Sequence, residues 1–337
     1  MRYYTLPKTE SIDDLTLTEG DTPRPKRGQV LVKMKAASLN YRDYMVVMGK
    51  YARGGVDPNL IPLSDGAGEV VEVGEEVTRF KAGDRVAGIF MQSWLGGEIE
   101  ASHAASAMGG AINGVLTEYR VFDQDGLVHL PEHLSFEEGA SLPCAAVTAW
   151  NALYAGKTPL KSGDSVLLLG TGGVSVLALQ LARAAGARVI QTSSSDDKLE
   201  RIKALGASDT INYKQHPDWE KEVKRLTDGR GVDYVVEVGG AGTLPRSIAS
   251  TRTGGAVSLI GVLTGGEIDP TLVMRSSITL RGIYVGSREM FEAMNRAIDF
   301  HGIKPVIDKV FALEDAKEAY RHLESQQHLG KVVIRID

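Results

Sequence analysis

A glycine-rich stretch that follows an apolar run has the residue types and spacing of a phosphate-binding turn. Residues 165–175 read Ser-Val-Leu-Leu-Leu-Gly-Thr-Gly-Gly-Val-Ser. In such a turn the first glycine permits a tight reversal and the second lets the backbone approach a pyrophosphate. The helix that follows offers free amides and the positive end of its dipole. Ser175 stands where a third glycine is usual. The predicted binding residues are Gly170, Gly172, Gly173 and Val174.

The next apolar run, 188–193, ends in hydroxyl groups, whereas enzymes that use NAD place a carboxylate on the ribose at this point. A carboxylate would repel the 2′-phosphate of NADPH, and serines with a lysine would accept it. We therefore expect NADPH to be preferred over NADH. The residues predicted for this site are Ser193, Ser194, Lys198 and Tyr213, with Arg201 as a further candidate. An alternative stays open, in which Asp196 or Asp197 reaches the ribose or both cap the following helix.

The elements that position these residues alternate between strand and helix from residue 164 onwards. Strands are predicted at 165–170, 188–193, 209–213, 232–239, 256–262 and 278–286. Helices are predicted near 174–185, 196–205, 217–228 and 287–300. This alternation is typical of an α/β fold with a doubly wound parallel sheet. Because ligands bind at the carboxyl ends of such strands, Gly239, Gly261 and Val262 join the predicted cofactor site.

Length and charge limit the classes of protein and partner. The chain has 337 residues, 38 Lys and Arg against 43 Asp and Glu, a formal net charge of −5 and one cysteine. This length suggests about two domains of ~150 residues each, and the first 90 residues are rich in strand and turn patterns. The mild negative charge gives no general attraction to nucleic acid or anionic membranes. We expect a cytoplasmic enzyme that acts on a small-molecule substrate and has no nucleic-acid or membrane partner.

Five further motifs follow one another along nearly the whole chain. They read Gly-Ala-Gly-Glu-Val-Val-Glu-Val-Gly at 66–74, Gly-Asp-Arg-Val at 83–86, Leu-Pro-Cys-Ala-Ala-Val-Thr-Ala-Trp-Asn-Ala at 142–152, Gly-Arg-Gly-Val-Asp-Tyr-Val-Val-Glu at 229–237 and Gly-Lys-Val-Val-Ile at 330–334. Together with the glycine turn, they resemble the medium-chain dehydrogenase/reductase superfamily, and most closely its zinc-free, quinone-oxidoreductase-like branch.

The resemblance implies two domains and an assembly. A GroES-like β-barrel catalytic domain would comprise residues 1–122 and 300–337, and a Rossmann cofactor-binding domain residues 123–299. The active site would lie in the cleft against the Rossmann domain. Members of the family are usually dimers or tetramers, which would here form through the edge strand 278–286.

The resemblance also bears on metal binding. The positions of the three catalytic zinc ligands of zinc-dependent relatives carry Asn40, Ser64 and Cys144 here. Amide and hydroxyl groups are poor zinc ligands beside thiolate and imidazole. A structural zinc lobe of four cysteines is impossible in a one-cysteine chain, and the corresponding stretch, 92–117, offers only His103. We therefore expect no metal, with Cys144 as a small group beside the cofactor.

By the same resemblance, the stretch 40–51 carries the chemistry. The catalytic candidates are Asn40, Asp43 and Tyr51, the residues lining the substrate pocket are Tyr41 and Tyr44, and the further cofactor contacts are Thr148 at the nicotinamide and Lys331 at a phosphate. Packing of a helix against the barrel is the alternative for the tyrosines. Packing is also the alternative for Thr148, and a surface position is the alternative for Lys331.

The resulting expectation is a zinc-independent, NADPH-dependent oxidoreductase that transfers hydride to a quinone, an enone or a related activated alkene. Without a Lewis acid, alcohol–ketone interconversion loses its usual stabilisation of an alkoxide, and conjugate addition needs only hydrogen-bond donors at the carbonyl oxygen. Two alternatives remain open. One is a zinc-free alcohol or aldehyde dehydrogenase, and the other is a non-catalytic NADPH-binding protein.

Overall fold

A computed structural model describes residues 1–51, 56–261 and 263–337 of the chain. The described residues form fifteen strands: β1 Arg2–Thr5, β2 Thr16–Glu19, β3 Gln29–Leu39, β4 Asp65–Val73, β5 Arg85–Gly88, β6 Tyr119–Asp123, β7 Leu127–His129, β8 Ser165–Leu168, β9 Arg188–Ser193, β10 Asp209–Asn212, β11 Val232–Glu237, β12 Thr251–Leu259, β13 Thr279–Gly282, β14 Ile307–Ala312 and β15 Lys331–Arg335.

The same residues form ten α-helices: α1 Tyr41–Val47, α2 Phe136–Ala140, α3 Val147–Tyr154, α4 Gly173–Ala184, α5 Asp196–Ala204, α6 Trp219–Leu226, α7 Leu244–Ser250, α8 Thr271–Arg275, α9 Arg288–His301 and α10 Ala316–Glu324. Short 3₁₀ helices and one π-helical turn, Leu142–Ala146, lie between them. No described helix is long and apolar enough to cross a membrane.

The chain divides into two compact units, and the smaller one, Thr148–Val285, has the predicted parallel sheet. Its six strands lie in the order β10-β9-β8-β11-β12-β13 and all adjacent pairs are parallel. Numbered from β8, this is the order 3-2-1-4-5-6 of a Rossmann fold. Apolar residues of strands β8 to β12 and of helices α6 and α7 form its core. The prediction of a doubly wound α/β sheet is thus confirmed.

The larger unit, Met1–Val147 with Gly286–Asp337, is built on a mixed sheet around the long strand β3. One edge of β3 pairs with β4, and the other is shared between β6 along residues 29–33 and β15 along residues 36–39. The last strand of the chain is thereby placed beside Leu39, just before α1 begins. This pairing positions the site described below.

The chain passes from one unit to the other at 147/148 and 285/286. The resemblance implied domain boundaries at 122/123 and 299/300. The reason is packing. Helix α2 lies on β3 and β4. Helix α9 lies on β7, where the side-chain amide of Asn295 donates to the carbonyl of His129 at 2.9 Å. Both helices therefore belong to the larger unit.

The individual elements match the sequence patterns where those patterns are long. Strand β9 has the predicted bounds, α4 and α9 differ from theirs by one residue at each end, and α5 ends one residue earlier than predicted. Helices α7 and α8 and strand β14 were not predicted. Each has only five to seven residues, which is too short for its hydrophobic periodicity to be recognised in the sequence. The predicted strand at 278–286 is only the four residues of β13.

Candidate active site

The glycine turn between β8 and α4 has the form of a phosphate cradle. Gly170 has a φ of +69°, which favours glycine, and a Cβ on Gly170 or Gly172 would meet no atom of the described residues within 4 Å. The N-cap of α4 is Gly172, which has no side chain to cap the first turn, so the amides of that turn can bind an anion. The Ser175 hydroxyl donates to the Leu169 carbonyl at 2.6 Å. This bond explains why serine serves at the third position of the fingerprint. The turn therefore fits a pyrophosphate.

Hydroxyl groups cluster at the end of β9, and the nearby carboxylate of Asp196 is bound by other side chains. Ser193 is buried, and its oxygen accepts from the amide of Ser195, the N-cap of α5. The Asp196 carboxylate accepts from the side-chain amides of Asn212 at 2.7 Å and Gln215 at 2.9 Å. Asp196 is thus held by the last residue of β10 and by Gln215 beyond it. Sequence patterns could not reveal this partnership, because Asn212 is sixteen residues away from Asp196.

The other predicted residues of this region lie nearby. Ser194 and Lys198 are half-buried, one before α5 and the other within it. Tyr213 follows β10, and its amide donates to the carbonyl of Ser193 at 3.0 Å. Asp197 is an exposed residue in the first turn of α5.

A buried glutamate, which the sequence did not single out, organises the loop after β11. Glu237 Oε1 accepts from the amides of Gly239 and Gly240 and from the hydroxyl of Thr243, at 2.6, 3.1 and 2.7 Å. Its other oxygen accepts from Ser247. The feature of the sequence that could have indicated Glu237 is a charged residue at the end of an apolar strand. The carboxylate fixes the loop that carries Gly239.

Three further predicted cofactor contacts have different outcomes. Gly261 lies directly against Val238, with so little space that a Cβ would sit 1.9 Å from that carbonyl oxygen. Val262 lies outside the described residues. Thr148 is buried in the first turn of α3, and its contact with a nicotinamide stays a prediction.

Asn40 and Asp43 form the N-terminal end of α1 in the larger unit. The Asn40 amide donates to Asp43 Oδ2 at 2.8 Å, half of a capping box. Asp43 is 1% exposed, and burial raises its pKa to about 6 even though Arg42 opposes this shift. Its other oxygen accepts from Arg42 at 3.3 Å. Asp43 therefore holds the Asn40 backbone and the Arg42 guanidinium, and its catalytic role stays a prediction.

The raised pKa of Asp43 predicts a pH-dependent stability. Between the ordinary pKa near 3.8 and about 6, the folded state keeps a proton that the unfolded state has lost. The free energy of unfolding of the wild type should therefore fall, relative to Asp43→Asn, by about 2–3 kcal/mol as the pH rises from 4 to 6. Urea unfolding across this range measures it, and Asp21→Asn controls for the loss of an exposed charge. Parallel curves for wild type and Asp43→Asn would contradict this expectation.

Lys331 lies beside Asn40 and contacts different groups from those that the sequence suggested. It is 3% exposed, and its ammonium donates to Asn40 Oδ1 at 2.6 Å and to the Leu39 carbonyl at 2.7 Å. The pairing of β15 with β3 brings these residues together across 291 positions. The surface alternative is wrong. A phosphate contact stays a prediction that these hydrogen bonds do not support.

The lysine also fixes the orientation of the Asn40 amide. An ammonium only donates, so the oxygen of Asn40 must face Lys331 and the Nδ2 group must face away. Asn40 Nδ2 is buried and has no acceptor among residues 1–51, 56–261 and 263–337. An unpaired buried N–H donor is costly. Asn40 therefore offers a fixed donor to a ligand.

The tyrosines of residues 40–51 have different surroundings. The Tyr51 ring lies under the Arg42 guanidinium, with the cation 4.9 Å from its centroid. The Tyr44 hydroxyl instead donates to Glu324 on α10 at 2.8 Å, and its ring lies 5.7 Å from that of Tyr41. Tyr44 is thus engaged in packing α1 against α10. A pocket role for Tyr41 stays a prediction.

The remaining positions equivalent to zinc ligands are tied to a buried aspartate. Asp65, fully buried, accepts from the Ser64 hydroxyl at 2.7 Å and from the Cys144 amide at 2.9 Å. Burial, with Asp65 adding to it, raises the pKa of the Cys144 thiol far above its usual range. His103 accepts from the Glu100 amide at 2.9 Å in its own 3₁₀ turn. The described residues contain no group of three or more His, Cys, Asp or Glu arranged to hold a metal.

Comparison with known proteins identifies the family. An alcohol dehydrogenase GroES-like domain matches residues 26–132, and a zinc-binding dehydrogenase family matches residues 173–299. A zinc-type alcohol dehydrogenase-like protein of Schizosaccharomyces pombe is 46% identical over 345 residues, which cover 100% of this chain and 99% of the relative. The chain belongs to the medium-chain dehydrogenase/reductase superfamily. It is an NAD(P)H-dependent oxidoreductase, and the predicted GroES-like domain is confirmed.

Other relatives of this oxidoreductase are named as reductases of an alkene or a quinone, or as alcohol dehydrogenases. A 2-methylene-furan-3-one reductase of Solanum lycopersicum is 33% identical, covering 96% of this chain and 76% of the relative. A human quinone oxidoreductase is 29% identical, with 93% and 90% covered. Among solved structures, a putative alcohol dehydrogenase of Sinorhizobium meliloti matches with a TM-score of 0.92 and 39% identity over 99% of this chain and 98% of the other. A mycobacterial protein complexed with NADPH matches with a TM-score of 0.82 and 26% identity, over 99% of each chain.

Proposed function

We propose that this oxidoreductase uses NADPH, and no zinc, to reduce the activated carbon–carbon double bond of an enone or a quinone. The proposal rests on the hydrogen bond between Lys331 and Asn40. The resemblance aligns Asn40 with the first metal ligand of zinc-dependent relatives, and here its oxygen already accepts from a buried ammonium. Zinc binding there would set a second cation against Lys331. The names of the tomato and human relatives point to the same substrate class.

The residues of the larger unit supply what such a reduction needs. The chemistry that a bound reduced nicotinamide would supply is a hydride for the β-carbon of the alkene, with the electron pair of the double bond passing to the carbonyl oxygen. The Asn40 Nδ2 donor, fixed by Lys331, stabilises that developing negative charge. A proton from water or from the Tyr51 hydroxyl then completes the α-carbon.

The smaller unit carries the proposed cofactor site. The open turn at Gly170–Gly173 would hold the pyrophosphate, and the loop fixed by Glu237 would line the strand ends. Ser193, Ser194, Lys198 and Tyr213 would surround the 2′-phosphate of NADPH. Asp196, held by Asn212 and Gln215, would not occupy that position.

The activity test is oxidation of NADPH by the purified chain with a matched enone, quinone, ketone and aldehyde, before and after treatment with a chelator. We expect turnover of the enone or the quinone that the chelator does not change. Reduction of only the ketone or aldehyde, lost on chelation and restored by zinc, would refute the proposal. If that reduction survives chelation, it would favour the second candidate, a zinc-free alcohol or aldehyde dehydrogenase, which the relatives named alcohol dehydrogenases suggest.

Replacement of Ser193 by aspartate should change the cofactor preference. A carboxylate at the end of β9 would repel the 2′-phosphate and accept from ribose hydroxyls, so the NADPH to NADH ratio of kcat/KM should fall at least about tenfold. Steady-state kinetics with both cofactors measures it. Asp197→Asn, in the exposed first turn of α5, is the control and should leave the ratio unchanged. An unchanged ratio in Ser193→Asp would mean that the phosphate lies elsewhere.

We also propose a homodimer or tetramer formed through β13, one of the two outer strands of the Rossmann sheet. An unpaired strand edge is a template for pairing with a second copy, and the residues of β13 are exposed or half-buried. Sedimentation at micromolar concentration should give at least twice the 36.2 kDa mass of the chain. A concentration-independent monomer would exclude this assembly. The cytoplasmic location stays a prediction.

A further inference from the structure

We propose that Arg42 is a positioning residue that acts through Tyr51. It directs the proton of the Tyr51 hydroxyl towards the substrate and stabilises the tyrosinate that remains when this proton is given up. The inference rests on the proposed enone reduction, and it selects Tyr51 rather than water as the proton donor of that reaction. Arg42 itself does not touch the substrate.

Arg42 is held in a fixed place in the larger unit. It lies in the first turn of α1, its side chain is 9% exposed, and Nη1 donates to Asp43 at 3.3 Å. The rings of Phe90 and Tyr51 lie against the guanidinium, with their centroids 4.7 and 4.9 Å from its central carbon. Asp43 is itself buried and also accepts from the Asn40 amide. These contacts keep the guanidinium beside Tyr51.

The Arg42 guanidinium also donates a hydrogen bond to the Tyr51 side chain. The only polar atom of that side chain is the hydroxyl oxygen, and a guanidinium has donors but no acceptor. The oxygen is therefore the acceptor, and the hydroxyl hydrogen must point away from Arg42. Lys331 fixes the Asn40 amide in the same way. Each of the two proposed donors of the site is thus oriented by a cation that can only donate.

The same contact suits Tyr51 to the transfer of a proton. Once the β-carbon has received hydride, the electron pair of the enolate forms a new C–H bond at the α-carbon. The O–H bond of Tyr51 breaks in that step, and the tyrosinate keeps its electron pair until water returns a proton to it. A phenol ionises only near pH 10 in water. A cation in contact with the tyrosinate lowers the cost of forming it at neutral pH.

The test measures the configuration of the α-carbon, which protonation sets. Reduction of 2-methylcyclopent-2-enone creates a stereocentre there, and the product is extracted before it can epimerise. The wild type should give one enantiomer in excess. Tyr51→Phe and Arg42→Met should both give a nearly racemic product, because water then protonates the enolate from either face. Arg42→Lys, which keeps a cation and a donor without the planar group, should retain part of the excess.

Arg85→Met is the matched control for the loss of a stacked guanidinium. Arg85 lies 4.7 Å from the centroid of Phe136 and donates to the Glu132 carbonyl at 3.1 Å, not to a residue of the site. Its replacement should leave the enantiomeric excess unchanged. An equal loss of the excess in Arg85→Met and Arg42→Met would overturn the assignment to Arg42.

A double-mutant cycle on kcat gives a second readout. General acid catalysis contributes about 10²–10⁴-fold, so Tyr51→Phe should lower kcat at least about tenfold. Arg42→Met should lower it by a similar factor. The double variant should be little slower than either single variant, because both changes disable the same proton donor. Effects that multiply would mean that the two residues act independently, and the inference would be wrong.

Gly110→Ala disturbs Arg42 without removing a charge. A Cβ at residue 110 would lie 2.3 Å from Arg42 Nη2, so the guanidinium must shift. This variant should also lower the enantiomeric excess. It keeps the inference testable if Arg42→Met, which leaves Asp43 buried without its cation, does not fold. Circular dichroism and the dissociation constant for NADPH establish that each variant is intact.

The outcomes separate the inference from the proposed function. If the wild type reduces the enone and Arg42→Met and Gly110→Ala keep its enantiomeric excess, the inference is wrong while the proposed function stands. A racemic product from the wild type would mean that water supplies the proton, and it would also overturn the inference. If the wild type reduces neither an enone nor a quinone, the proposed function is wrong and the inference falls with it.

Discussion

Replacement of Asn40 by aspartate is expected to lower kcat for an enone about a hundredfold to a thousandfold. Aspartate has the same shape, still begins α1 and still accepts from Lys331, but it lacks the Nδ2 donor and places a negative charge against the developing oxyanion. Loss of a single donor of this kind costs about 10²–10³ in kcat. Steady-state kinetics with saturating NADPH measures the effect.

The fold and the cofactor site should be preserved in Asn40→Asp, because the backbone amide of residue 40 keeps its bond to Asp43. An unchanged dissociation constant for NADPH and an unchanged melting temperature are therefore the controls. Asn40→Ser, which keeps a cap and a hydroxyl donor, should retain more activity than Asn40→Asp. Full activity in Asn40→Asp would mean that Asn40 serves only as a helix cap, and the proposed mechanism would then have no basis.

Replacement of Lys331 by methionine should lower kcat about tenfold to a hundredfold, because hydrogen bonds from a charged donor contribute about 1.5–3 kcal/mol. Methionine fills a similar volume but leaves the Asn40 oxygen without its ammonium, so the amide is free to rotate away from the substrate. Lys331→Arg restores the charge and should recover part of the activity. Transient kinetics of the hydride-transfer step isolates the effect from product release.

The affinity for cofactor decides between the two roles of Lys331. If it positions Asn40, Lys331→Met should leave the dissociation constants of NADPH and NADH unchanged in fluorescence titrations. If it binds a phosphate, as the sequence suggested, the variant should weaken the binding of both cofactors. The second result would assign Lys331 to the cofactor and leave Asn40 without its support.

Local patterns were sufficient for much of the Rossmann unit. The strand-turn-helix at 165–184 was readable because the apolar run, the glycines and the helical periodicity are adjacent in the chain. The hydroxyl-rich end of β9 was visible for the same reason. Glu237 was missed, although it lies within a predicted strand, because its four partners come from the loop and helix that follow.

The catalytic cluster depended on contacts that no local pattern contains. The resemblance indicated Asn40 and Asp43, but it gave no reason for the unpaired Nδ2 donor, which exists because Lys331 comes from the last strand. Asp65 meets the Cys144 amide across 79 positions.

By itself, the sequence determined the parallel α/β architecture and the glycine turn, because strand and helix periodicities and turn residues act within a few neighbours. The tertiary structure alone decided which polar groups are paired and which are left as donors. Pairing of β3 with β15 sets Lys331 against Asn40, and burial removes the water that would otherwise satisfy Asn40 Nδ2, which has no acceptor among the described residues. That donor is left without a partner only in the folded chain, because in the unfolded chain water would bind it.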